Sequence, residues 1–81
     1  MATNAATISP ADSTLQFKVR LELRINPKTE DFAKELKVSV RQGVVTLEGT
    51  VPTDIDRKNA ERVALGVTDV SAVINNLKVA Q

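Results

Sequence analysis

The segment LQFKVRLELRI, residues 15–25, alternates strictly between apolar and polar side chains. Alternation with a period of two is typical of a half-buried strand, because successive side chains of an extended chain point to opposite faces. The flanks of the segment favour a helix instead. Asp12 or Ser13 is a suitable N-cap for a helix that begins near Thr14, and Asn26-Pro27 is a stop signal. The residues alone leave both structures open.

The next two alternating segments predict a β-hairpin. LKVSV, residues 36–40, and VVTLEGTV, residues 44–51, each place apolar side chains on one face. Arg41-Gln42-Gly43 between them suits a tight turn, in which glycine accepts a positive φ. The stretch before the hairpin, residues 28–35, is mostly charged and holds one large apolar residue, Phe32, which is typical of a loop or a short helical turn.

A second helix and a last strand follow the hairpin. Thr53 is a suitable N-cap, and Asp54 and Asp56 suit the positive end of a helix dipole. The apolar residues that then recur with helical spacing are Ala60, Val63, Ala64 and Val67. Alternation returns over residues 73–79, which predicts a third strand.

The composition restricts the classes of function. The chain of 81 residues suits one domain, and it contains no Cys, His, Trp or Tyr and only two Phe, so its core must be aliphatic. Without His and Cys, the commonest catalytic bases, nucleophiles and transition-metal ligands are missing, and we expect no enzyme, no metal and no cofactor. A net charge of +1 and the lack of aromatic platforms argue against nucleic acid as a partner.

The composition also predicts the domain boundaries. Residues 1–11 are small and polar, and we expect a disordered lead or the trimmed end of a longer precursor; residues 12–79 form the single domain and 80–81 a short tail. The lead lacks the basic and apolar segments of a secretory signal, and no apolar run is long enough to span a bilayer. A full-length chain would therefore stay in the cytoplasm.

Three segments carry a resemblance to a known family. GVVTLEGTV, residues 43–51, resembles the glycine-valine-threonine-leucine-x-glycine-x-valine signature of the BON family, which is named for osmotically induced and nodulation proteins of bacterial envelopes. DVSAVINNLKV, residues 69–79, is similar to the closing motif of that family, although Asp69 replaces the usual glycine. The opening segment, residues 12–27, fits as well. The matching residues of the two signatures are Gly43, Thr46, Leu47, Gly49, Val51, Val70, Val73, Asn75, Leu77 and Val79.

The resemblance implies an α+β fold of order αββαβ, with both helices packed on one face of a three-stranded mixed sheet. It therefore favours a helix for residues 15–25. It also implies a non-catalytic module of the periplasm or cell envelope, connected with osmotic stress, that attaches to phospholipid or to another envelope protein. Some relatives are thought to sense potassium, and a site made of backbone carbonyl groups would leave no signal in the sequence.

A helix over residues 15–25 has two apolar sides. At about 100° per residue, one side consists of Leu15, Val19 and Leu23. The other, roughly 200° round the helix, consists of Phe17, Leu21 and Ile25. A helix on a sheet buries one of these, and Lys18 and Arg24 flank the second. Apolar side chains edged by cations are typical of surfaces that bind anionic membranes. The predicted membrane or partner-binding surface consists of Phe17, Lys18, Leu21, Arg24 and Ile25.

Other uses of this second side remain open. If this side is not a docking surface, the loop around Phe32 or the N-terminal lead would cover Phe17, Leu21 and Ile25. A second copy of the chain, or a protein partner bound without lipid, would cover it in an interaction module.

Overall fold

The computed structural model describes residues 10–80, which form two helices and one three-stranded sheet. Their bounds are α1 Pro10–Ile25, β1 Lys37–Arg41, β2 Val44–Val51, α2 Asp54–Leu65 and β3 Ala72–Val79, with one turn of 3-10 helix, Ala33–Glu35, before β1. The strand order is β1-β2-β3, antiparallel between β1 and β2 and parallel between β2 and β3. This is the predicted α+β fold, with the helices packed on one face of a mixed sheet. The predicted lead, residues 1–11, lies almost wholly outside the described residues.

The alternating segment, residues 15–25, is helical, although α1 begins earlier than expected. It starts at Pro10 rather than near Thr14, so the prediction of an N-cap at Asp12 or Ser13 is wrong. Proline suits a first helical turn because the N–H groups of that turn have no partner within the helix. The helix ends where expected, just before Asn26, whose N–H still donates to Glu22.

The hairpin follows the prediction with a one-residue difference. β1 covers Lys37–Arg41 instead of residues 36–40, so Arg41 belongs to the strand and not to the turn, and β2 covers residues 44–51 as expected. Gln42 and Gly43 form the connection, and their φ angles of 51° and 82° are those of a two-residue turn that matches the strand twist. Only the glycine adopts such an angle without steric cost.

The second helix is capped as its sequence indicates. The Thr53 hydroxyl accepts a hydrogen bond from the Asp56 N–H at 3.1 Å and donates to the Asp56 carboxylate at 3.0 Å. The helix stops at Gly66. Asp69, at the position where the family signature has glycine, takes a φ of 80°. An aspartate tolerates this conformation better than most residues, which lets the chain turn into β3.

One aliphatic core joins the helices to the sheet. Phe32 is buried in it, so the segment before β1 packs inward. The buried apolar residues are Leu15, Val19, Leu23, Phe32, Ala33, Leu36, Val38, Val40, Val45, Leu47, Val51, Ala60, Ala64, Val67 and Leu77. The opposite face of the sheet is exposed and largely polar, with Ile74 as its one large exposed apolar residue within residues 10–80.

Candidate functional site

The two apolar sides of α1 have opposite environments. On the inner side, Leu15, Val19 and Leu23 are 6%, 0% and 1% exposed. On the outer side, Phe17, Leu21 and Ile25 are 67%, 43% and 60% exposed. Adjacent exposed apolar side chains are typical of interaction surfaces, whereas apolar residues scattered singly over a surface are common and need no explanation. The outer side of α1 is therefore the candidate docking surface.

Hydrogen bonds near both ends hold the helix in this rotation. In its first turn, the buried Asp12 carboxylate accepts from the backbone N–H of Gln42 at 2.9 Å and of Gly43 at 3.3 Å. Just beyond its C-terminus, the fully buried Thr29 donates its hydroxyl to the carbonyl oxygen of Leu23. Both contacts involve buried groups, for which a lost partner is costly. Rotating the outer side toward the sheet would break both.

Cations lie on each flank of the outer side. By helical geometry Lys18 stands beside Ile25, and Arg24 stands beside Phe17, with Arg20 further round. All three are exposed, and within residues 10–80 none has a carboxylate at ion-pair distance. A shallow depression on the arginine flank is lined by Ser13, Gln16, Phe17, Arg20, Leu21 and Arg24. The surface thus combines apolar side chains with exposed cations that form no ion pair within residues 10–80.

Two segments of the chain were candidates to cover the outer side of α1: the loop around Phe32 and the N-terminal lead. Phe32 is itself buried in the core, and the outer side of α1 stays exposed, so the loop around Phe32 does not cover it. The second alternative, that the N-terminal lead covers this side, depends on residues 1–9, which lie outside the residues that the structure describes.

The signature residues occupy structural positions, and none lies on the outer side of α1. Gly43 forms the hairpin turn. Gly49 has a φ of 135°, and a Cβ there would stand 3.1 Å from the carbonyl oxygen of Glu35 and from the Leu36 side chain, so the close approach needs glycine. Leu47, Val51 and Leu77 are in the core, whereas Thr46 is half-buried; the residues packed partly against the core are Val70, Val73 and Val79.

Asn75 has a role that the sequence did not reveal. Its amide Nδ2 donates to the carbonyl oxygen of Arg57 at 3.0 Å and to the carboxylate of Glu61 at 3.1 Å, which ties β3 to α2. Its Oδ1 accepts from the backbone N–H of Leu77 at 3.1 Å. Glu61, for which the sequence suggested no role, thus supports Asn75. No local signal could indicate these contacts, since the partners on α2 lie 14 and 18 residues away.

The carboxylates of α2 are structural in the same way. Asp54 accepts from Arg57 at 2.9 Å and 2.7 Å and pairs with Lys58 at 3.4 Å. The hydrogen bond from Arg57 lowers the pKa of the Asp54 carboxyl below its usual value, despite the opposing effect of desolvation. Asp56 belongs to the helix cap. Among residues 10–80 no three His, Cys, Asp or Glu side chains are grouped as a metal site would require.

No helix within residues 10–80 has the length and apolar character needed to cross a membrane. The family model of the BON domain matches residues 11–81, which is most of the chain. No curated protein matches the chain.

Proposed function

This chain belongs to the BON domain family, and we propose that it attaches reversibly to anionic phospholipid surfaces through the outer side of α1. The domain is a non-catalytic binding module in general character, and the choice of lipid is our proposal. The observation that carries it is the exposure of Phe17, Leu21 and Ile25 between Lys18 and Arg24, two exposed cations that form no ion pair within residues 10–80.

The composition of the outer side suits a membrane interface better than a dry protein interface. An interfacial helix inserts its apolar side chains at the boundary of headgroups and acyl chains, while flanking Lys and Arg meet the phosphates. Each basic side chain near an anionic surface contributes about 1 kcal/mol, an interaction that salt weakens. Protein interfaces, by contrast, are depleted in lysine.

The expected affinity is modest. Full burial of an apolar side chain contributes about 1.5–3 kcal/mol, and the three side chains here are already partly covered. Association costs offset much of the gain. Binding should therefore be reversible and depend on both salt and the anionic lipid fraction.

Sedimentation with liposomes tests this proposal. The chain should pellet with phosphatidylcholine vesicles that contain phosphatidylglycerol, and much less with phosphatidylcholine alone. Leu21→Asp should lower the partition coefficient by about ten-fold or more, because it removes apolar contact and adds a charge that the interface opposes. The matched control is Ile74→Asp, which changes a side chain of similar exposure, 48%, on the opposite face of the molecule.

A second pair of variants separates lipid from apolar partners. Lys18→Glu combined with Arg24→Glu should abolish the salt-sensitive part of binding. Attraction to lipid phosphates depends on these two charges, whereas binding to an apolar partner does not. Equal pelleting of wild type and Leu21→Asp, or none from either, would contradict the proposal. If Leu21→Asp instead converts a dimer to a monomer in sedimentation velocity, the outer side serves self-association.

A further inference from the structure

The edge of the sheet at β1 has no partner strand within residues 10–80. The two-residue turn makes Arg41 and Val44 the first hydrogen-bonded pair of the hairpin, and such pairs then alternate along the strands. The backbone N–H and C=O groups of Val38 and Val40 therefore point away from β2, toward the open edge. Their side chains are buried, so the edge presents peptide groups to whatever approaches it.

A groove of about 580 Å³ follows this edge. Gln16 and Arg20 of α1 form one wall, and residues 35–39 form the other. The groove is thus bounded by a helix on one side and an unpaired strand on the other. This is the geometry in which an extended peptide adds a strand to a sheet, its main chain bonding to the edge.

Gln16 supplies a second unsatisfied group at the same place. Its side-chain oxygen Oε1 is shielded from water and has no hydrogen-bond partner among the described residues. A buried acceptor without a partner costs on the order of 1–3 kcal/mol. Gln16 is half-buried and lines the groove, so its amide lies beside any chain that enters there. A peptide N–H entering the groove would then satisfy Oε1.

The charges around the groove indicate the chemistry of the occupant. Arg20 and Lys37 line it, and Arg41 ends the strand; Glu35 is the one carboxylate among its lining residues. Within residues 10–80 none of these four side chains forms an ion pair. A segment with acidic side chains would meet the excess of positive charge.

The opposite edge of the sheet is partly satisfied by the chain itself. At β3 the N–H of Leu77 is already bonded to Asn75, whose amide is in turn held by α2. A second copy of the chain also suits the β1 edge poorly. In the register that pairs Val38 with Val40 of the second copy, Lys37 would oppose the Arg41 of that copy, and like charges directly opposite each other are destabilising.

We infer that the β1 edge accepts an extended segment of another protein with acidic side chains at alternate positions. The segment's main chain pairs with Val38 and Val40. Its acidic side chains lie on the face of the sheet away from the helices, beside Lys37 and Arg41, and its intervening side chains face α1. This site is separate from the outer side of α1 and does not depend on lipid binding.

Titration of the ¹⁵N-labelled chain with a ten-residue peptide of alternating valine and glutamate tests the inference. The amide signals of Val38 and Val40 and the side-chain amide of Gln16 should shift, and hydrogen exchange of the two backbone amides should slow. Lys37→Glu combined with Arg41→Glu should weaken binding by about ten-fold or more, because two attractive charge contacts become repulsive. Lys28→Glu combined with Arg62→Glu is the matched control, with the same change of net charge at exposed positions away from the edge.

Three outcomes would overturn the inference. One is the absence of shifts at Val38 and Val40 at millimolar peptide, or shifts centred on β3 or on the outer side of α1. Another is equal binding of a valine–lysine peptide. The third is a concentration-dependent shift of Val38 and Val40 without peptide, which would identify a second copy as the occupant.

Discussion

The inner and outer sides of α1 are chemically alike and structurally opposite. Each consists of three large apolar residues at helical spacing, yet the inner three are at most 6% exposed and the outer three at least 43% exposed. Apolar character alone therefore does not decide which side of a helix becomes core. The decision rests on contacts at the ends of the helix and on the sheet beneath it.

The contacts at the ends favour one rotation of α1. Asp12 bonds to the hairpin turn, and Thr29 bonds to the carbonyl oxygen of Leu23. The first contact joins residues that are 30 positions apart in the sequence. The second comes from a residue beyond the C-terminus of α1. If these contacts maintain the difference between the two sides, substitutions on each side and at each end should have sharply unequal effects.

Truncation of the inner side should have the largest effect on stability. Leu23→Ala should lower the free energy of unfolding by about 2–5 kcal/mol, because Leu23 is fully buried and its loss leaves a cavity. The matched truncation on the outer side, Leu21→Ala, should change it by about 0.5 kcal/mol or less. Urea denaturation followed by circular dichroism measures both. Comparable losses in the two variants would mean that the outer side is covered in solution.

Loss of the N-terminal contact should have an intermediate effect. Asp12→Ala should lower the free energy of unfolding by about 1–3 kcal/mol, since the N–H groups of Gln42 and Gly43 lose their acceptor. Ser13→Ala, at the exposed neighbouring position, serves as the control. Amide exchange of Gln42 and Gly43 should accelerate in Asp12→Ala alone. Unchanged exchange would show that the carboxylate does not hold the turn.

The smallest effect is expected in the first turn of α2, where the exposed Asp54 pairs with Arg57 and Lys58. Because the pKa of Asp54 is lowered in the folded state by Arg57, the carboxylate stabilises the fold above its unfolded pKa. That contribution disappears as the pH falls through the lowered folded pKa, below 3.8. Asp54→Asn should therefore be slightly less stable than wild type at pH 7 and equally stable at pH 2. Thermal unfolding at both pH values measures this, and a difference that persists at pH 2 would exclude the ionic cause.

Much of the fold follows from local signals in the sequence. The turn at Gln42-Gly43, the N-cap at Thr53 and the helical spacing from Ala60 to Ala64 each indicate their element, and the structure confirms them. Val67 is buried as expected but lies beyond the end of α2 at Leu65. Short-range preferences succeed here because each element has its own start or stop signal. They were off by one residue at the start of β1 and by several at the start of α1.

The alternating segment is where local signals failed. Its period of two is typical of a strand, and the helix became the favoured structure through the resemblance of the whole chain to a family. Asp12 was interpreted as a cap because an acidic residue before an apolar run usually is one. Its partners lie 30 and 31 residues away in the hairpin turn, and no spacing within α1 could reveal them.

The hairpin, α2 and the aliphatic core can be predicted from the amino-acid sequence, because they depend on turn chemistry, capping and the periodicity of neighbouring residues. The sequence also predicts that α1, once helical, has two apolar sides. Tertiary contacts determine which side is buried, that Asn75 bonds to the N–H of Leu77 on β3, and that β1 has no partner strand within residues 10–80. These outcomes depend on hydrogen bonds and packing between residues distant in sequence, whose energies no local pattern encodes.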